Sequence, residues 1–449
     1  MSTEAAAAAA DRPGLLDRAL RVFSDVRAGE GATVLLMFVN LLALFVSYYI
    51  IRTVRDAVIL ATGGAAVQSY ASAAMAIVLL GFVPAYSWFA SRANRAKLIL
   101  GVTLFFILNL EAFSFAFRGS DPKRVALAYF IWVGIFNNSA VAQFWSFAND
   151  LYRRDAGERL FPIVAIGATL GAPLGSKVAE VLFETGVHPP AMLQFAAGLL
   201  VIQVVLYLLI QARAVRGRVE EAKVAEAPIP PGGGFGLVFA NPYLRLIAVL
   251  IVILNLVNTN GNFVWNSAVV SAADAAVAAN PSLDRTAYIG SVLGSFGFYQ
   301  NILVVLLQAL VVSRIVKYFG MSGVLLVMPL VALGGNTLIA AGAGIGVIRW
   351  AKMSENAADY SVMNTGRQML WLPTKREEKY KAKQAIDTFF VRGGDLFSAA
   401  IVFLGTAVIP LGVFGFAAGN VVLTLIWIGV ALLILKRHRA LVEQPAKAA

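Results

Sequence analysis

The sequence predicts an all-α integral membrane protein with 12 transmembrane helices in two six-helix halves. Three observations predict it. Apolar runs of about 20 residues, each long enough to cross a bilayer, recur between residues 33 and 435. The chain is 59% hydrophobic and 14% charged with mean hydropathy +0.75, where soluble domains carry about 25% charge. Its lysines and arginines gather in alternate loops, the mark of cytoplasmic loops.

Residues 1–32 form an N-terminal tail, in which Leu15, Leu16, Ala19, Leu20, Phe23 and Val26 mark one face of an amphipathic helix expected on the inner membrane surface. The first half, 33–212, holds spans near 33–58, 68–91, 97–117, 125–149, 161–183 and 190–212. A cytoplasmic linker follows at 213–242, rich in charge and then in Pro and Gly (APIPPGGG). The second half, 243–435, holds spans near 243–265, 286–313, 321–341, 345–365, 385–408 and 411–435, and 436–449 is a second tail. The tenth span has poor hydropathy and follows from parity. The basic loops 314–320 and 366–384 both belong inside, so an even number of spans joins them.

With the N-terminus inside, inward tails and loops hold 26 lysines and arginines and outward loops hold 4, which makes both termini cytoplasmic. Residues 1–32 show no apolar signal core and are too acidic for a typical organelle transit peptide. The expected location is a bacterial inner membrane. The net charge of +12 belongs to these basic loops, and no nucleic-acid partner is expected. The absence of cysteine excludes thiolate metal sites, and two histidines leave little room for a metal centre. No P-loop, metal cluster or nucleophile–histidine pair is visible. Span five (GATLGAPLGSKVAEV) imitates a Walker loop, but its order is G-S-K and it lies in an apolar run. The expectation is therefore no enzyme, no cofactor and a monomer in the bilayer.

The most informative stretch is 345–365, IGVIRWAKMSENAADYSVMNT. Arg349, Lys352, Glu355 and Asp359 fall on one helix face at steps of three, three and four. Each ionised side chain facing lipid at mid-helix costs about 2.5–3.5 kcal/mol, so four together cost about 10–14 kcal/mol. The face is expected to line a wet cavity or meet partner charges. In span eleven, Arg392 and Asp395 share a face. In span five, Lys177 sits at mid-depth with Glu180 as partner, while Gly167, Gly171 and Gly175 make a close-packing stripe. Span one ends with Arg52, Arg55 and Asp56. Arg52 and Asp56 can pair, leaving Arg55 to clamp an anion or to snorkel. Span four offers Asn137 and Asn138, and span three offers Glu111, a candidate proton-coupling acid or structural partner.

Six spans plus six, with SRANRAK after span two echoed by SRIVKYFG after span eight, is the layout of the major facilitator superfamily. More specifically, KMSENAADYSVMNTGRQMLWLPTKREEKYKAKQAIDTFFVRGGD at 352–395 resembles the ATP:ADP antiporter family of plastids and intracellular bacteria. FWSFAND at 144–150 and IRTVRDAV at 51–58 resemble two further blocks of that family. The resemblance implies movement of nucleotides or related phosphorylated anions. It places Arg55, Lys352 and Glu355 at the family's intramembrane charges, and Lys379, Lys381 and Lys383 on its basic segment. Two positions depart: the counterpart of the acid that exchangers carry in span four is Val133 here, and Arg55 stands where exchangers often have lysine.

The expected function is a secondary transporter moving nucleotides or related phosphorylated organic anions by alternating access and exchange. Arg52, Arg55, Asn138, Lys177, Arg349, Lys352, Glu355, Asp359 and Arg392 are the candidate substrate contacts, and Asp56, Glu180 and Asp395 complete gating ion pairs. Two alternatives stand beside it: a proton-linked carrier of another polar metabolite using Glu111, Glu355 and Asp359, and a membrane sensor or scaffold that transports nothing.

Overall fold

The structure, a computed structural model, describes residues 14–443 except 23, 91–94, 120, 153, 216–232 and 376. Most of the linker at 213–242, part of the SRANRAK loop, Phe23 and the ends of both tails lie outside the described residues. Every regular element among the described residues is helical. The helices are α1 Leu15–Leu20, α2 Gly31–Ala90, α3 Arg95–Gly119, α4 Pro122–Leu151, α5 Arg154–Glu184, α6 Pro189–Val215 and α7 Gly234–Ala240. They continue as α8 Pro242–Ala279, α9 Arg285–Leu306, α10 Val312–Ala340, α11 Ile345–Ala358, α12 Asn364–Met369, α13 Lys383–Ala385, α14 Val391–Phe403 and α15 Gly412–Glu443.

Among the described residues, nine helical stretches are long and apolar enough to cross a membrane. Two of them, Gly31–Tyr86 and Arg285–Ala340, are 56 residues each, more than twice the roughly 20 that one crossing needs. Both are broken by a glycine in a conformation that side-chain-bearing residues avoid: Gly64 (φ 74°, ψ −179°) and Gly320 (φ 56°, ψ −146°). The stretch 345–369 is helical throughout but is not among the nine. Large apolar side chains such as Leu108, Phe115, Phe397 and Leu425 are exposed, as expected of surfaces solvated by lipid. Helix starts follow local chemistry: the side chains of Asp121, Asn241 and Asp284 accept the N–H of Lys123 (3.0 Å), Tyr243 (2.9 Å) and Thr286 (2.7 Å).

The chain forms two compact units, Met1–Arg55 with Ala85–Ala225 and Asp56–Pro84 with Glu226–Ala449. In unit 1 the glycine stripe of α5 lies directly on α2. A Cβ on Gly167 would come 2.5 Å from Phe38 O, one on Gly171 2.6 Å from Phe45 Cβ, and one on Gly175 2.7 Å from Val46 O. Outside the apolar layer, α1 is strapped to the start of α2. Asp17 accepts the N–H groups of Gly14 (2.9 Å), Gly29 (3.1 Å) and Gly31 (2.9 Å). The Gly29 bond, then those from Gly14 and Gly31, hold its carboxyl below the usual range despite burial. Burial pushes Glu30 up, but the bidentate bond from Arg159 (3.0 and 3.1 Å) and the Arg27 N–H outweigh it, leaving that carboxyl below its ordinary value too. Ser24 Oγ also donates to Arg159 O.

Unit 2 packs α8, α10 and α15 around Leu244, Ile247, Leu254, Met328, Trp427 and Ile434. The segment Asp56–Pro84 is tied into it by polar bonds: Asn266 Nδ2 donates to Gln68 Oε1 (2.6 Å), and Arg285 donates to the carbonyls of Leu60 and Ala61 and to Asp274 (2.8 Å). Among its described residues unit 2 also holds five π-helical turns, at Leu307–Val311, Asp359–Met363, Glu378–Ala382, Ile386–Phe390 and Leu404–Val408. Unit 1 has none among its described residues.

Candidate functional site

Unit 2 turns polar at the middle of α8. Gly261 stands 19 residues from Pro242 and 18 from Ala279, and the residues just before it reach other helices. Toward α11, Lys352 Nζ donates to Asn258 O (2.8 Å), Asn258 Oδ1 (2.6 Å) and Glu355 Oε1 (3.0 Å). An ammonium has three donors, and all three are engaged. The Lys352 and Glu355 side chains are only 3% and 5% exposed. Asn258 Nδ2 donates to Asp359 Oδ2 (3.2 Å), so one amide turns its oxygen to the cation and its NH₂ to the anion. Gly261 makes the room: a Cβ there would lie 3.1 Å from Lys352 Nζ and 3.4 Å from Glu355 Oε2.

Toward α14 the bonding is looser. Thr259 Oγ1 donates to Asp395 Oδ1 at 3.4 Å, and Arg392 Nη1 to Asp395 Oδ2 at 3.5 Å, with the Arg392 side chain 25% exposed. A guanidinium carries five N–H donors, and this is the one hydrogen bond Arg392 makes among the described residues. Arg349 faces α9 instead: it donates to Ser295 Oγ (2.8 Å), lies over the Tyr299 ring at 5.9 Å, and has no acidic partner among the described residues. Around this layer Ser398 Oγ donates to Asn260 Oδ1 (2.7 Å), Asn420 Nδ2 to Val257 O and Asn336 Oδ1 (both 3.2 Å), and Asn356 Nδ2 to Gln300 Oε1 (2.7 Å).

The four charges expected on one face, to line a wet cavity or to meet partner charges, therefore divide. Lys352, Glu355 and Asp359 are buried and partnered by protein, while Arg349 and, on α14, Arg392 keep donors and partial exposure. Sequence reading passed over the residues that organise this layer. Asn255, Asn258, Thr259, Asn262 and Asn266 fall within an arc of about 100° at 3.6 residues per turn. On the far side of α8, Leu250, Leu254, Val257 and Val264 are buried. Asn262 is exposed and has no hydrogen-bond partner among the described residues. The asparagine spacing in NLVNTNGNFVWN was the available signal.

The unit 1 candidates sit on α2, α3, α4 and α5. Lys177 and Glu180 pair at 2.9 Å, with Lys177 45% exposed and Glu180 8%. Arg55 lies over the Phe130 ring at 4.4 Å and Arg52 over Tyr49 at 5.7 Å. Asn138 bonds back to Gly134 O (3.1 Å), and Glu111 is exposed, accepting from Gln194 at 3.4 Å. Val133 is fully buried on the helix whose Tyr129, Trp132 and Phe136 rings stack. Asp56, in unit 2, accepts from Gln68 Nε2 (3.2 Å). A cavity within unit 1 is lined by Asn40, Thr103, Gln143, Phe144, Gln203 and Tyr207. No group of three or more His, Asp or Glu residues placed to hold a metal occurs among the described residues.

No family model matches the chain. It is 22% identical over 291 residues to ADP,ATP carrier protein 1 of Chlamydia trachomatis serovar D, covering 56% of this chain and 53% of that one. It is 21% identical over 291 residues to ADP,ATP carrier protein 1 of Chlamydia muridarum, with the same coverage. The chain thus spans about half the length of the curated relatives it matches. Among solved structures it is similar to the nucleoside transporter NupG (TM-score 0.57, 13% identity, 92% of this chain and 98% of that one). It is also similar to a bacterial homologue of the iron transporter ferroportin in an inward-facing state (TM-score 0.64, 12% identity, 89% and 98%). These likenesses show that the chain shares the all-helical fold of these solved transporters, and the named relatives and neighbours are carriers and transporters.

Proposed function

We propose that the chain is a secondary transporter that moves nucleotides or related phosphorylated organic anions by alternating access, in exchange mode. The observation that carries this reading is the half-open arginine layer at the centre of unit 2. Arg392 and Arg349 keep most of their donors unengaged, and a guanidinium fork matches a phosphate bidentately. The resemblance of 352–395 to the antiporter family and the likeness to ADP,ATP carriers support the same substrate class. Arg52, Arg55, Asn138 and Lys177 are the contacts proposed from unit 1. On this reading Lys352 is a positioning residue that holds Asn258, because its donors are engaged.

The nine apolar stretches, with the two long ones each crossing twice and 345–369 added, account for twelve spans. Six-helix halves at 33–212 and 243–435, cytoplasmic termini, an inner-membrane location and a monomer complete the proposal. Uptake of labelled ATP or ADP by proteoliposomes preloaded with unlabelled nucleotide tests it. Saturable uptake that requires the internal nucleotide is expected, and no saturable uptake of any nucleotide, loaded or not, would overturn it. A proton-linked carrier is the second reading, favoured by two buried carboxylates in one cluster, Glu355 bonded to Lys352 and Asp359 to Asn258. Uptake indifferent to an imposed pH gradient would exclude it.

A further inference from the structure

The polar face of α8 is inside-out for a helix that touches lipid. Its far side (Leu250, Leu254, Val257, Val264) is buried, while its open side carries Asn255, Thr259, Asn262 and Asn266. Amides in hydrocarbon lose their water bonds without replacement, so this side belongs against water or a solute. Two of these residues are already engaged elsewhere: Thr259 with Asp395, and Asn266 with Gln68. Asn255 donates one N–H to its own helix, at Ile251 O (2.9 Å), and leaves its carbonyl oxygen for another donor. Asn262, one residue past the helix centre, engages neither end of its amide among the described residues.

Arg392 stands on the helix that approaches this face. A Cβ on Gly394 would come 2.6 Å from Asn255 Cβ, so α14 and α8 are at backbone-contact distance two residues from Arg392. A cation with unengaged donors therefore adjoins a row of uncharged amides. An amide presents a donor and an acceptor side by side. That pair suits the edge of a heterocyclic base or a sugar diol and gives a bare phosphate no advantage over arginine.

Resting on the nucleotide reading above, we propose that Asn262 and Asn255 form the specificity subsite for the nucleoside part of the substrate, with Arg392 taking its phosphate. The amides select and the arginine anchors. Isothermal titration of the purified full-length protein with two probes, ATP and inorganic pyrophosphate, separates the roles. N262L is expected to weaken ATP about tenfold and to change pyrophosphate less than about twofold, with N262Q recovering part of the ATP loss. R392Q is expected to weaken both probes. N262L weakening both probes equally, or neither, overturns the subsite. Wild-type protein that binds pyrophosphate but not ATP overturns it too while leaving an anion site. Wild-type protein that binds neither probe removes the nucleotide reading and this proposal with it.

Discussion

Lys177–Glu180 in α5 and Lys352–Glu355 in α11 share a three-residue spacing and nearly the same length, 2.9 and 3.0 Å. Their surroundings differ. Lys177 is 45% exposed, whereas Lys352 is 3% exposed and delivers all three N–H groups to Asn258 and Glu355. The i,i+3 spacing makes a pair in both places, and only the packing of neighbouring helices decides whether the lysine remains accessible. A dry pair stabilises one arrangement of helices and is costly to break on one side, while a half-open pair contributes little to stability and can meet a solute.

The strongest test of that contrast is K352A. It leaves Glu355 without its cation, and Asn258 without the donor that orients it, in a buried cluster and is expected to cost about 3–5 kcal/mol, read as a lowered melting temperature and folded yield in detergent. The double variant K352M/E355L is expected to recover most of the loss. Wild-type stability for K352A alone would erase the distinction between the pairs.

Next come the glycines beneath each pair. G175A places a Cβ 2.7 Å from the Val46 carbonyl and 2.8 Å from Tyr49 Cβ, so two helices must separate at about 1–3 kcal/mol. G261A meets the tip of Lys352 at 3.1 Å, which can tilt, and about 1 kcal/mol is expected. Equal costs in thermal unfolding would mean that the ammonium is held as firmly as backbone.

K177A should change stability by less than about 1 kcal/mol while lowering nucleotide uptake; unaltered uptake removes Lys177 from the substrate path. The smallest effect lies in water, at the strap. Asp17 and Glu30 are held below their ordinary values, so their contribution is full above about pH 4–5 and is lost as pH falls through the lower folded values. At neutral pH, D17N is expected to cost about 1 kcal/mol locally and to speed tryptic cleavage around Arg18, Arg21 and Arg27. Unchanged cleavage would show that the strap does not depend on Asp17.

The sequence made the all-α character, the helix at 345–369 and the i,i+3 ion pairs legible, because hydropathy and helical spacing are local properties. The turn between spans one and two was less legible. Residues expected to interrupt the helix stay helical up to Gly64, because one glycine can break the helix without a polar loop. The burial of Lys352 was not legible at all. It depends on Asn258, 94 residues away in sequence, and on the missing side chain of Gly261. The asparagine row was hidden for a different reason: Leu, Val and Ile between the amides keep the average of α8 apolar, and only the angular arrangement separates them.

The π turn at Asp359–Met363 has a practical outcome for anyone scanning this helix with substitutions. A turn closed five residues on rather than four slips the phase of everything after it, by about 100° for one extra residue. Tolerance to polar replacement along 345–358 should recur every three to four positions and then jump ahead of schedule through 364–369. A periodogram of the whole stretch would blur into noise, while two periodograms split at the slip would each be sharp.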